Sequence, residues 1–353
     1  MNFEIYRGRR VLVTGHTGFK GSWLAIWLHA LGARVYGYSL PAPTKPSNYA
    51  LSGVAELLAG EAIGDVRDRK ALAAAVKRWK PDVVFHLAAQ PLVRLSYRRP
   101  YETFEANVLG TASVLDAVRS LDGASPRTAT VCITTDKCYE NREQTKGYRE
   151  TDPFGGYDPY SASKGAAEIL IASYRRSYGM NLASARAGNV IGGGDWAKDR
   201  IIPDMVKAFK KGAKPGVRNP KAVRPWQHVL EPLSGYLALG AKMVEEPCDA
   251  TWCSGWNFGP ERTAEDDVGH VADLVARAWG DGAAWEFTGD TKAVHEANLL
   301  RLDVAKAKKT LGWKPRWPLD EAVARTVLWY KRATRKTARA LCLADVAAYG
   351  KSV

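Results

Sequence analysis

Two short stretches hold the residues best suited to chemistry. Tyr160-Ser-Ala-Ser-Lys164 places a phenol and an ammonium four residues apart, which on a helix is one turn along one face. A nearby ammonium favours the phenolate. Drawing a tyrosine from about 10 toward neutrality, ~3 units, takes about 4 kcal/mol of differential interaction. Such a tyrosine can take the proton of an alcohol while that alcohol is oxidised. The second stretch, Thr134-Thr135-Asp136-Lys137, sets a carboxyl beside an amine. A lysine serving as base must be drawn from about 10.4 to near 7, and an aspartic acid serving as acid must move about 3 units upward. Side by side, the two groups favour an ion pair. Either Asp136 is acid and Lys137 base, or the carboxylate is base and the ammonium acid, each in its ordinary state.

These groups need a scaffold, and the first thirty residues supply its opening unit. An apolar strand, Arg10 to Thr14, runs into Gly15-His16-Thr17-Gly18-Phe19-Lys20-Gly21, a helical run from Ser22 to Leu31, and a second strand, Ala33 to Tyr38. Strand, glycine turn, helix and strand form a dinucleotide-binding βαβ unit. Gly15 permits the tight turn. Gly18 admits a pyrophosphate to the helix N-terminus, where amides and helix dipole favour an anion. Gly21 allows close packing of helix on sheet.

Strands at 62–65, 82–89, 128–134 and 181–187 alternate with helices at 69–79, 101–121 and 160–178. The continuous apolar runs read as strands buried on both faces. The expected fold is α/β: a Rossmann-type, doubly wound parallel sheet with a smaller α+β substrate-binding lobe. From about Gly192 the chain turns rich in Gly, Pro, Lys and Arg. The expected division is residues 1–190, with about 228–258 returning, for the dinucleotide domain, and 191–227 with 259–353 for the lobe. The basic tail carrying Arg332, Arg335, Lys336 and Arg339 reads as a solvated face.

Composition narrows the function classes. The 353 residues are 46% hydrophobic and 25% charged, ordinary for a soluble globular protein. No apolar run of 18 residues and no leader-like apolar stretch occurs, so a cytoplasmic protein without membrane contact is expected. Five cysteines without a C-x-x-C pair argue against a disulfide framework or structural zinc. His86 and His228 read as packed or hydrogen-bonded, and no metal is expected. The formal charge of +14 is scattered, without the dense basic block or motif of a nucleic-acid binder. It suits pyrophosphate-bearing ligands.

The chain resembles the extended short-chain dehydrogenase/reductase family along nearly its whole length. The likeness is carried by the glycine turn, Gly64-Asp65, His86-Leu-Ala-Ala-Gln90, Asn107-Val-Leu-Gly-Thr111, the Thr-Thr-Asp strand end, Tyr160/Lys164 and Arg186-Ala-Gly-Asn189. Other segments are similar to the branch of 4,6-dehydratases that act on CDP-glucose: Gly15 to Trp23, Thr135-Asp-Lys-Cys-Tyr139, Gly192-Gly-Gly-Asp-Trp196, Arg224 to Val229 and His295-Glu-Ala297.

That resemblance implies an NAD-dependent lyase making a 4-keto-6-deoxy sugar nucleotide, as in deoxysugar supply for a bacterial surface polysaccharide (lipopolysaccharide O-antigen), and a homodimer or homotetramer. It implies a catalytic set of Thr135, Asp136, Lys137, Tyr160 and Lys164, with Asp136 as acid and Lys137 as base. Cofactor contacts would come from Gly15, His16, Thr17, Gly18, Phe19, Lys20, Gly21, Asp65 (to adenine), Val66, Leu87, Ala88, Ala89, Asn107, Thr134, Tyr160 and Lys164. Gln90, Asn189, Arg200, Arg224 and His295, with Glu296 beside it, would hold the nucleotide sugar. Relatives acting on other nucleotides carry Glu where this chain has Lys137. An epimerase would need Tyr160 and NAD but not the Asp136/Lys137 pair. The second strand ends Tyr36-Gly-Tyr-Ser39, without the acid that usually holds an NAD ribose. NADP therefore stays open on the residues alone.

Overall fold

The computed structural model describes residues 3–121, 127–261, 266–289 and 299–352. Seven parallel strands form the central sheet: β1 (Arg10–Thr14), β2 (Arg34–Ser39), β3 (Gly60–Ile63), β4 (Val83–His86), β5 (Ala129–Ile133), β6 (Leu182–Ala187) and, after four two-residue strands, β11 (Gly255–Phe258). Their order is β11-β6-β5-β4-β1-β2-β3. The order reverses between β1 and β4, so a crevice opens at the carboxyl ends of those strands, where such sheets bind ligands. The four short strands are β7 (Val190–Ile191), β8 (Gly216–Val217), β9 (Val223–Arg224) and β10 (Gln227–His228); β12 (Asp266–Asp267) and β13 (Glu286–Phe287) follow. They pair as β7–β10, β9–β12 and β8–β13 beyond the sheet's carboxyl edge.

Helices α1 (Phe19–Ala30), α2 (Asn48–Leu51) and α3 (Arg69–Trp79) belong to the first half. The expected single helix over 101–121 is three segments: α5 (Pro100–Phe104), following α4 (Val93–Arg98), then a π-helical turn at Glu105–Leu109 and α6 (Gly110–Arg119). Wide turns of this kind often mark functional places, and Asn107 lies in this one. Helix α7 (Pro159–Tyr178) starts cleanly. The Asp158 carboxylate accepts from the Ser161 N–H, Pro159 fills the first turn, and Gly179 ends it with φ +60°. The remaining helices are α8 (Ile201–Phe209), α9 (Leu230–Glu245), α10 (Val268–Trp279), α11 (Ala305–Leu311), α12 (Leu319–Arg332) and α13 (Ala338–Lys351).

Strands β1, β4 and β5 are buried almost throughout because helices cover both sheet faces. One face packs against α1 and α9 with Trp23, Leu24, Leu233 and Leu237; the other packs against α3 and α6 with Leu72, Val76, Leu115 and Val118. The basic tail is not simply solvated. Arg339 donates to the carbonyls of Ser52 and Gly53 and pairs with Glu56, pinning α13 beside α2. The Glu231 carboxylate on α9 accepts from the Tyr349 hydroxyl at 2.6 Å and from the Trp317 amide at 2.8 Å. The last helix is thereby locked to the core.

Candidate active site

The glycine turn has the shape a pyrophosphate needs. Gly15 sits at φ +77°, and a Cβ there would come within 2.7 Å of the Ala88 nitrogen. A Cβ on Gly21 would lie 2.1 Å from the Gly15 carbonyl oxygen. Gly18 is the N-cap of α1 and offers no side chain to the first-turn amides, so those donors are available to an anion. Leu87, Ala88 and Ala89 follow β4 directly beside this turn. These residues therefore fit a bound dinucleotide.

Around the turn the structure adds detail that spacing did not carry. The His16 ring lies against Gly37, where a Cβ would meet it at 2.6 Å. His16 Nε2 is 2.6 Å from Glu61 Oε1, and the Tyr49 hydroxyl donates to the same oxygen at 2.7 Å. Burial draws the His16 pKa down against the pull of Glu61. Thus the acid missing from the end of β2 has a counterpart on the neighbouring β3, engaged by His16 and Tyr49. Thr17 Oγ1 lies 2.8 Å from Ser39 Oγ. Asp65 is gripped by Arg67, whose Nη2 reaches Oδ2 at 2.6 Å, and this bond holds the carboxyl below its ordinary value. Val66 packs beside it, against the place a Gly110 Cβ would take. His86 bridges Thr14 and Thr111 (2.7 and 3.0 Å), and burial lowers its pKa to about 3. It is a neutral strut.

Beside this crevice lies a cavity of about 800 Å³. Phe19, Lys20, Thr134, Thr135, Asp136, Lys137, Tyr160, Asn189, Arg200 and Arg224 all line it, bringing together residues expected for substrate, chemistry and cofactor. Lys164 stands behind this wall, its Nζ 3.5 Å from the Ile133 carbonyl. Gln90 and Asn107 are placed otherwise. Asn107 Oδ1 accepts from the Gln90 amide at 2.8 Å and its Nδ2 donates to Ser163 Oγ at 2.8 Å. The Gln90 side chain is turned to Leu92 and Thr103. Both residues fasten the 90–93 loop to α7 and do not face the cavity. His295 and Glu296 lie outside the described residues. Sequence reasoning missed the far wall, Pro215 to Asn219 with Asp199 and Asp204, where Arg218 Nη1 stands 3.6 Å from Asp199. The Gly/Pro/Lys/Arg-rich texture of 210–225 was its one signal. Among the described residues no His/Cys/Asp/Glu group is arranged to hold a metal.

The electrostatics are ruled by desolvation. Asp136 is 2% exposed; Thr135 donates to its Oδ1 at 2.8 Å, and its Oδ2 has no protein partner. Burial raises its pKa, opposed by Lys137, the Thr135 hydroxyl and Arg224. Both Asp136 and Lys137 line the cavity, and the Lys137 charge is the largest influence opposing burial at the carboxyl. Tyr160 is pushed up to about 12 by burial, opposed by the Thr135 hydroxyl and Arg200. The Lys164 ammonium donates to the Ile133 carbonyl. Burial draws Lys164 down to about 8. Lys20 also falls to about 8, through burial and then repulsion from Lys164 and Arg200.

Residues 12–326 match the family model described as GDP-mannose 4,6 dehydratase. The chain is 48% identical to a CDP-glucose 4,6-dehydratase of Salmonella typhimurium, over 96% of this chain and 95% of that protein. Among solved structures it is similar to an epimerase of Methanothermobacter thermautotrophicus (TM-score 0.80, 21% identity, 96% of each chain covered). It is also similar to a dTDP-glucose 4,6-dehydratase of Bacillus anthracis in complex with NAD (TM-score 0.75, 20% identity, 92% and 97% covered). The shared fold serves epimerases and dehydratases alike, whereas the family match rests on sequence across most of the chain. The protein belongs to the 4,6-dehydratase family that this model describes, within the extended short-chain dehydrogenases/reductases.

Proposed function

We propose that the protein is an NAD-dependent CDP-glucose 4,6-dehydratase, a hydro-lyase converting CDP-glucose to CDP-4-keto-6-deoxyglucose. The observation that carries this reading is the joining of Tyr160 and the Thr135–Asp136–Lys137 corner in one cavity. An epimerase has no use for the Asp136/Lys137 pair. The 48% identity to the Salmonella protein supports the cytidine nucleotide.

The chain's residues then divide the work. Asn189, Arg200 and Arg224 hold the nucleotide sugar, guanidinium forks being suited to a pyrophosphate. Thr135, in hydrogen-bonding reach of both Asp136 and Tyr160, positions the sugar 4-hydroxyl. Tyr160 takes its proton as C4 is oxidised. Held at the turn of Gly15, Gly18 and Gly21, NAD would supply a reversible hydride acceptor for C4 and C6 and a positive charge favouring the phenolate. The 4-ketone acidifies C5; Lys137 removes that proton and gives it back to C5 when C6 is reduced, and Asp136 protonates the departing 6-hydroxyl. Water leaves across C5 and C6. Burial of Asp136 favours the protonated acid, which supports this assignment over the reverse, where a carboxylate would have to persist in a dry site.

The coarser points follow the same reading. No helix among the described residues is long and apolar enough to cross a membrane, which agrees with a cytoplasmic enzyme supplying deoxysugar for surface polysaccharide. Tyr101, Leu109 and Ile169 are exposed apolar side chains on α5, the π turn and α7, a face suited to a second copy in a homodimer or a larger assembly.

Incubation with CDP-glucose and NAD tests the function by formation of a 4-keto product absorbing in alkali. Turnover of CDP-glucose in preference to UDP-, dTDP- and GDP-sugars is expected. No product from CDP-glucose, with turnover of another nucleotide sugar, overturns the substrate.

A further inference from the structure

Behind the catalytic wall lies a buried ion pair that the proposed chemistry does not use. Glu168, one turn beyond Lys164 on α7, and Arg186 on β6 have side chains only 3% exposed, with Arg186 Nη2 2.8 Å from Glu168 Oε2. The fork is completed by Arg186 Nε to Oε1 at 2.9 Å. Ser184 Oγ donates to Oε2 at 2.7 Å, and Thr134 Oγ1 donates to Oε1. The carboxylate thus accepts four bonds, filling its capacity. On the far side, Arg186 Nη1 donates to the Tyr139 hydroxyl at 2.5 Å, which donates onward to Asn257 Oδ1 on β11 at 2.7 Å. The guanidinium lies 5.1 Å from the Tyr139 ring centre and 4.8 Å from that of Phe154.

The wiring has a particular consequence. Thr134 immediately precedes the Thr135–Asp136–Lys137 corner, and Tyr139 ends the turn after Cys138. Both ends of that turn are therefore tied to one ion pair, and the same pair belongs to the helix carrying Tyr160 and Lys164. A buried pair of this kind contributes little net stability relative to apolar residues of like size, so its contribution must be sought in geometry. We propose that Glu168 and Arg186 are positioning residues that register α7 against the Thr135–Lys137 corner, fixing where the acid and base stand relative to the tyrosine. The roles of acid, base and tyrosine in this statement rest on the dehydratase reading.

A double variant, Glu168→Met with Arg186→Met, removes both charges together and leaves neither unpaired. The first readout is amide hydrogen exchange, which needs no substrate: faster exchange confined to residues 134–139 and the N-terminal turns of α7 is expected. The second is kinetics on the nucleotide sugar that the wild type turns over. A misplacement of the corner lowers kcat about tenfold or more, with KM within about threefold because the cavity's arginines are untouched. The third is the pH profile. Lys164 is faced by Cys132 and Cys138 around β5, His86 on β4, Lys20 on α1 and Glu168 on its own helix. The variant removes Glu168, which favours the ammonium, together with its Arg186 counter-charge, so the profile should keep its shape while kcat falls across it. Unchanged exchange with kcat within about twofold of wild type overturns the proposal. Should the double variant fail to fold, Thr134→Val decides by the same exchange and kinetic readouts, because it deletes one bond isosterically. Failure of the wild type to use CDP-glucose bears on the substrate alone, since the exchange arm does not involve it.

Discussion

Replacement of Asp136 by Asn separates the acid from every other part of the proposed reaction. The amide keeps the shape and can still accept from the Thr135 hydroxyl, but it cannot give up a proton at the Oδ2 position, which faces no protein partner. General-acid catalysis contributes roughly 10²–10⁴ in rate, or about 2.7–5.4 kcal/mol of barrier. The assay starts from pre-formed 4-keto substrate and follows loss of water from C5 and C6; oxidation at C4 is measured separately and should change little. Stability supplies a control of opposite sign. Burial raises the Asp136 pKa, so the native state holds a proton that the unfolded chain releases above about 3.9. Stability contributed at this site is therefore greatest at low pH, falls as pH rises toward the raised native value, and stays low above it. The Asn variant escapes that loss and should be at least as stable as wild type at pH 8 by thermal unfolding. Water elimination by the Asn variant within about threefold of wild type would refute the acid assignment. So would a variant that is both slow and markedly less stable, because the rate loss would then come through the fold.

The other expectations are narrower. Gly21→Ala forces a Cβ against the backbone of Gly15 and His16; with no flexible side chain to yield, dinucleotide binding measured by calorimetry should weaken about tenfold or more, and unfolding should cost about 1–3 kcal/mol less. Tyr349→Phe removes a donor to the buried Glu231 carboxylate, which should cost about 1–3 kcal/mol in urea unfolding with kcat unchanged. Lys20, on the cavity wall, lies at about 8, and a bound pyrophosphate raises it. Binding of nucleotide sugar at pH 8 should therefore take up protons, seen by calorimetry as a heat that varies with the buffer's ionisation enthalpy; no variation refutes it.

The chain disclosed its sheet and its chemistry unevenly. Strands such as 129–133 were legible because both faces are buried, leaving an uninterrupted apolar run, and α3 and α7 carry caps and terminators in plain view. The tyrosine, its lysine and the Thr-Asp-Lys corner are local stretches, singled out by their place in the sheet and by the resemblance, and the fold brings Tyr160 and the corner to one cavity. What was hidden depends on register or long-range packing. Glu61 reaches His16 only because Gly37 and Glu61 are partners across β2 and β3. Asn107's hydrogen bonds to the 90–93 loop and to Ser163 could not be read from spacing. Arg339 looked solvated until α13 was folded back on α2. The Arg218–Asp199 wall and the partner of Glu168 likewise require the tertiary fold.

Desolvation acts on the central groups in one direction. It raises Asp136 and Tyr160 and lowers Lys164 and Lys20, so each is pushed toward its neutral form. For Asp136 that is the form the elimination needs, and the fold pays for it in stability. For Tyr160 burial disfavours the phenolate that the proposed proton transfer calls for. The chain's own opposing contributions at Tyr160, the Thr135 hydroxyl and Arg200, do not overcome burial. In the proposed reaction a positive charge entering beside the tyrosine would oppose burial there, whereas burial already favours the protonated Asp136.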